Sequence, residues 1–378
     1  MENLLTPEQV KTYINSTQHY GASTTYKKLN DYVGPLSQMD EKIQAKSKSF
    51  TDEDLHSIGA FESRNDMIKM ALDFFKKLDP TMGAKVEKLL SDYMVTKNIQ
   101  LIEEGQSSGK VTIEGENDTT RINLNINLRK DATGFICLCQ QLTDAVILRE
   151  QSKIDTVNDK ITDNFMAKTA KQFMTFMLID YIGDNSHLTP QQKEALQIDA
   201  LQETSRDIQA LAVDKEIFEA MYEQDPSIFE NNLENYTPEN FYNAMVKFED
   251  KPQSMEIIND RIKDIAEDGK TTHYLMGSVL STISAFEMQD QFIKGNDHVM
   301  TDLLNGINNN ATLSQVTGIS NSELVASGSN IIDNLNDQTR AQAREARLDG
   351  RYDENDIEMV MQRQKVVNNT ATTQKPNY

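Results

Sequence analysis

The sequence predicts a predominantly α-helical α+β fold, with one small antiparallel sheet near residues 97–127 packed on a buried central helix. Two observations predict the helices: Thr-Pro and Asp-Pro start signals recur along the chain, and apolar residues fall at helical spacing between them. A third predicts the sheet, because strict apolar/polar alternation occurs in one stretch only. Hydrophobic residues make up 38% of the chain and charged residues 26%, which suits a packed globular protein rather than a disordered or fibrous one.

The elements follow in order. Thr6-Pro7-Glu8-Gln9 reads as an N-cap, a first-turn proline and a capping-box glutamine. Thr51-Asp52-Glu53-Asp54 is a second start. From Asn65, the residues Met67, Ile68, Ala71, Phe74, Phe75 and Leu78 form one helical stripe. Asp79-Pro80 ends that helix and opens another carrying Val86, Leu89, Leu90 and Met94. After Asn98, Val111, Ile113, Ile122, Leu124 and Ile126 alternate with polar residues about the turn-like Gly115-Glu116-Asn117-Asp118. A further strand is expected near Ile99–Ile102.

Helices then resume. Thr133–Gln151 and Ala167–Ile182 are apolar on most sides and should be central. Thr189-Pro190-Gln191-Gln192 opens a long helix to about Tyr222, Thr237-Pro238-Glu239 another, and Leu275–Ile293 carries a further stripe. The chain therefore divides into a helical N-terminal region (1–98), a central region (99–223), a helical C-terminal region (224–366) and a polar tail (367–378) expected to be disordered. The 17 methionines suit an adaptable core better than a partner groove.

Composition excludes several functions. A net charge of −21 disfavours nucleic acid and anionic membranes, because phosphate binding needs clustered Lys and Arg, and it favours a protein partner with a basic surface. The longest apolar run, Phe173–Ile182, is about half the length a membrane span requires, so no span is expected. The N-terminus shows no basic and apolar signal pattern, which implies a cytoplasmic protein, signal-independent secretion being the alternative. Cys137 and Cys139 stand two apart on a helix, about 200° around its axis, and read as reduced thiols.

Three motifs fail on chemistry. Gly105-Gln106-Ser107-Ser108-Gly109-Lys110 is one residue short of a phosphate loop and precedes a strand, so a hairpin turn is expected there. Around Asp349-Gly350, a calcium-loop register puts Arg347 and Arg351 among the ligands; a helix ending at Leu348, followed by a new one capped by Asp353, fits better. The histidines, His19, His56, His187, His273 and His298, include no pair at metal-binding helical spacing.

One stretch carries a resemblance. The strand Arg121–Ile126 runs directly into Phe135-Ile136-Cys137-Leu138-Cys139-Gln140-Gln141-Leu142-Thr143-Asp144-Ala145. This order resembles the zincin metallopeptidases, especially the metallopeptidase-like domains of bacterial proteins of unknown function, in which an edge strand precedes a buried helix bearing His-Glu-x-x-His. Leu138, Cys139, Leu142 and Ala145 match the apolar frame, while Gln140, Gln141 and Asp144 stand where the first His, the Glu and the second His belong. Glu203 and Asp207 have the Glu-x-x-x-Asp spacing of a third zinc ligand and its supporting carboxylate.

The replacements remove the chemistry that the resemblance implies. A glutamine amide is a weak neutral zinc donor, and Gln141 cannot accept a proton as a general base. No catalytic residue and no cofactor are therefore expected. Asp144, Glu203 and Asp207 would suit a hard cation such as calcium or magnesium if a metal bound at all. Two readings stay open at this stage: a pseudo-peptidase scaffold serving protein interaction, and an unrelated helical domain in which these side chains bond to neighbours. A working peptidase-like hydrolase with an atypical carboxylate site and a secreted effector are the functional alternatives.

Overall fold

The computed structural model describes residues 5–17, 21–59, 61–114, 121–151, 165–185, 188–229, 237–248, 252–309, 311–335 and 337–350. The expected turn at 115–118, the residues after Gly350 and the polar tail lie outside them. What is described is predominantly helical, with one small three-stranded sheet.

Caps set the helix starts where the sequence placed them. α1 (Pro7–Thr17) begins with Gln9 N donating to Thr6 Oγ1 at 3.2 Å and Thr6 N donating to Gln9 Oε1 at 2.8 Å. α2 (Ala22–Ser47) follows, then α3 (Asp52–His56), whose Thr51 and Asp54 form a capping box. Asp79 serves two helices: it closes α4 (Arg64–Leu78), and its Oδ1 accepts from Thr81 N and Met82 N at the start of α5 (Pro80–Leu90). That carboxylate is fully buried, and its other oxygen accepts from Thr301 N at 2.9 Å. α6 (Tyr93–Thr96) leads into the sheet.

The sheet comprises β1 (Ile99–Leu101), β2 (Ser108–Glu114) and β3 (Arg121–Leu128) in the order β1-β3-β2. β2 and β3 are antiparallel as expected, with Val111 opposite Leu124. β1 pairs with β3 in parallel, so the sheet is mixed rather than wholly antiparallel. The segment read as a hairpin turn does not join neighbouring strands. It carries the chain from one side of β3 to the other, with Gly105 at φ +92° in the loop and Gly109 inside β2 opposite Ile126. Only glycine takes that loop backbone without strain.

Two apolar helices come next, α7 (Ala132–Gln151) and α8 (Phe165–Asn185). The long helix expected from Thr189 is two helices, α9 (Pro190–Asp199) and α10 (Gln202–Gln224). α9 closes with Ala200 N donating to Leu196 O and Leu201 N donating to Ile198 O, both at 3.0 Å, the second bond tightening the last turn to i→i−3 and ending the helix. The remainder is α11 (Pro238–Met245), α12 (Pro252–Asp268), α13 (Thr272–Ile293), α14 (Val299–Asn308), α15 (Leu313–Thr317), α16 (Asn321–Gly328), α17 (Ile331–Leu335) and α18 (Gln338–Leu348). α18 ends at the expected residue, with Gly350 at φ +67° just beyond it.

The chain forms two compact units, each built from separated stretches. One comprises Met1–Gln44, Gln202–Leu280 and Asn321–Ser329. Here α1 packs on α11 and α12, α10 packs on the same two helices, and Tyr13 meets Phe241 edge-on at 5.9 Å. The other comprises Ala45–Leu201, Ser281–Ser320 and Asn330–Tyr378. Its centre is the α7/α8 pair: β2 and β3 lie on α7, and α8 is flanked by α9, α14 and α18. Leu138, Leu142, Phe173, Met174 and Met177 are all fully buried there. The core role expected of the methionines holds for these and for Met67, Met82, Met288 and Met300.

Candidate functional site

The residues singled out on α7 belong to the second unit and face α8 and the sheet. Gln140 Nε2 donates to Thr175 Oγ1 at 3.1 Å, and Thr175 Oγ1 donates in turn to Lys171 O at 2.8 Å. Lys171 Nζ lies 2.7 Å from Asp144 Oδ2. Gln140, Thr175, Lys171 and Asp144 thus make one polar seam along the α7/α8 contact. Both residues of each helix lie four apart, so one face of each contributes.

Gln141 points the other way, across β2. A Cβ placed on Gly109 would fall 2.4 Å from Gln141 Cγ and 2.6 Å from its Cδ. Gly109 is therefore the gap in β2 through which the α7 side chain passes, the close approach that a glycine inside a strand permits.

Electrostatics follow burial. Burial pushes the Asp144 carboxyl above its ordinary range, and the Lys171 ammonium offsets part of that. The Cys137 thiol is pushed up to about 11 by burial, and that of fully buried Cys139 well above the ordinary value. Both thiols are free and neutral near pH 7, the opposite of an activated nucleophile. A divalent cation at Asp144 would have to displace an ammonium 2.7 Å away.

Glu203 and Asp207 belong to the other unit. Glu203 is exposed in the first turn of α10, whereas Asp207 is buried and accepts a hydrogen bond from Ser278 Oγ on α13. Among the described residues no group of three or more His, Cys, Asp or Glu side chains is placed to hold a metal ion. β3, the strand that runs into α7, is the central strand of the sheet, where the resemblance implies an edge. No protein-family model, curated protein or solved structure matches the chain.

Sequence reasoning missed the charged centres that organise each unit. In the first, Asp214 and Arg261 are both buried and paired through Nε at 2.9 Å and Nη2 at 2.8 Å; Thr272 Oγ1 donates to the same carboxylate, and Arg261 Nη1 donates to Lys270 O at 2.7 Å. In the second, Asp180 on α8 meets Arg344 of α18 and lies 2.7 Å from Lys193 Nζ, which also reaches Glu345 at 2.8 Å. Burial alone would raise the Asp180 carboxyl, but Arg344 and Lys193 hold it below the usual carboxylate range. The signal was present in the sequence: Asp180 interrupts the most apolar run of the chain, and a charge there must find a partner.

The described helices include none long and apolar enough to cross a membrane.

Proposed function

We propose that this protein is a non-catalytic protein-interaction or structural protein, carried on a scaffold that resembles a degenerate zinc metallopeptidase. The observation that supports this reading is the α7/α8 seam. At the positions where a zincin places two imidazoles and a base, this chain has two amides and an aspartate, and the aspartate carries its own lysine counter-ion at 2.7 Å. Gln140 and Asp144 are engaged with α8 and Gln141 packs against Gly109 of β2, and a general base is missing from the set. The partner is a protein with a basic surface, which the net charge of −21 would steer toward it.

The test is a hydrolysis screen. The purified protein is incubated with an unbiased peptide mixture, with and without added zinc or calcium, beside the variants Asp144→Ala and Glu203→Ala. The reading expects identical peptide profiles in every arm. Metal-dependent cleavage that disappears in either variant would overturn it in favour of a hydrolase with a carboxylate site.

A further inference from the structure

α18 is held differently from the other helices of its unit. Its buried apolar residues are Ala343 and Leu348, and the rest of its buried face is arginine. Arg340, Arg344 and Arg347, at i, i+4 and i+7, line one side of the helix. Arg340 pairs with Asp290 of α13, Arg344 with Asp180 of α8, and Arg347 with Asp297 at 2.6 Å while donating to Phe292 O at 3.0 Å and lying over the Phe292 ring. Beneath the helix is thus a trench with three aspartates along it, Asp180 shared with the Lys193 ammonium at 2.7 Å and Asp297 exposed at its rim, and with Phe292 and Ile293 in its floor.

The joint is incompletely satisfied. Arg340 Nε and Arg344 Nη1 are buried guanidinium N–H groups with no acceptor among the described residues. Ion pairs taken out of water recover little of their hydration, and an unbonded buried donor recovers none. Opening would return the three guanidinium groups to water, leave Asp180 with Lys193, break the Lys193–Glu345 and Lys77–Asp349 pairs, and uncover only Ala343 and Leu348 among the buried apolar residues of the helix. The helix that leaves least behind is the one that opens first.

We propose that α18 is a releasable strap occupying an acidic trench, and that the trench, lined by Asp180, Asp290 and Asp297, receives a partner helix bearing arginines at i, i+4 and i+7. This rests on the partner-binding reading given above and names the surface that does the binding. The charge complementarity is visible in α18 itself, which fills the trench as a built-in copy of the ligand. An intramolecular strap has a high effective concentration, so a partner competes poorly until the strap is loosened.

The probe is a fluorescein-labelled peptide with the sequence of residues 337–350, titrated into the full chain and followed by anisotropy. Wild type should bind it weakly, and Arg344→Ala about tenfold more tightly because its own strap competes less. Asp180→Asn added to Arg344→Ala should abolish binding, as should a peptide with its arginines replaced by glutamates. Hydrogen exchange on the wild-type chain needs no variant to fold: the α18 amides should exchange at least about tenfold faster than those of α8. Equal exchange of α18 and α8 would overturn the strap, and no binding to a folded Arg344→Ala chain would overturn the trench. A concentration-dependent dimer in which α18 becomes protected would assign the trench to a second copy and overturn the partner. None of these results alters the hydrolysis screen, so the trench and the non-catalytic reading fail separately.

Discussion

The two buried charge centres make an instructive pair. At Asp214, every nitrogen of the Arg261 guanidinium has an acceptor, and the carboxylate has a threonine donor besides. At α18, two arginines are as deeply buried, yet two of their N–H groups find no acceptor among the described residues. The first centre behaves as a rivet between α10, α12 and α13. The second is a catch. Burial of charge is common to both, so what separates them is completeness of hydrogen bonding, the quantity that decides whether a buried ion pair fixes or merely positions an element.

The largest expected effect lies at the rivet. Asp214→Ala leaves Arg261 buried beside a single carbonyl and should cost about 3–5 kcal/mol, read as a lowered urea midpoint. A loss no greater than that at α18 would erase the contrast. Arg344→Ala should cost less, about 1–3 kcal/mol, because Lys193 stays against Asp180. Its effect should be confined to α18 exchange and near-UV signals.

Acid sharpens the same contrast. The Asp180 pKa is depressed in the fold, so its contribution to stability is fully present above the ordinary carboxylate value of 3.8 and is lost as pH falls through the lower folded value. α18 should therefore release on acidification below pH 3.8, seen as faster exchange of its amides. Asp144 has the opposite sign: its raised pKa gives stability below 3.8 that is lost as pH rises through the folded value. Asp144→Asn should accordingly flatten the pH dependence above 3.8 and leave the acid release of α18 in place. A release unchanged in Asp180→Asn would contradict the assignment.

The smallest effect sets the scale. Thr237 caps α11 by accepting from Asn240 N at 3.2 Å. Thr237→Ala should cost about 1 kcal/mol in thermal melts without changing α18 exchange. A faster-exchanging α18 in that variant would show that the strap answers to distant changes.

Local signals were legible in the sequence and distant ones were not. Thr6, Asp79, Thr189 and Thr237 each cap the helix that the residue pattern announced, because a cap is settled within four residues. The strand near Ile99 was also legible, but not its parallel pairing with β3, since alternation says which face a strand buries and nothing about its neighbour's direction. The break between α9 and α10 carries no Gly or Pro, so no local signal marks it. Within the candidate site, Gln140, Gln141 and Asp144 could be named, and their need for partners foreseen. Thr175 and Lys171 could not, because their place depends on how α8 lies along α7. Arg344 pairs with a residue 164 positions earlier in the chain. A lone aspartate among Phe, Met, Leu and Ile announces that a partner exists without saying which.

Metal content tests the non-catalytic reading most directly. Elemental analysis of the purified, untagged protein, followed by zinc and calcium titrations of wild type and Glu203→Ala, would be set beside a fold check by circular dichroism. The account predicts no stoichiometric metal, no saturable binding and the same fold in both chains. One equivalent of metal in the wild type, absent from a folded Glu203→Ala chain, would contradict it and reopen the reading as a metal-dependent hydrolase.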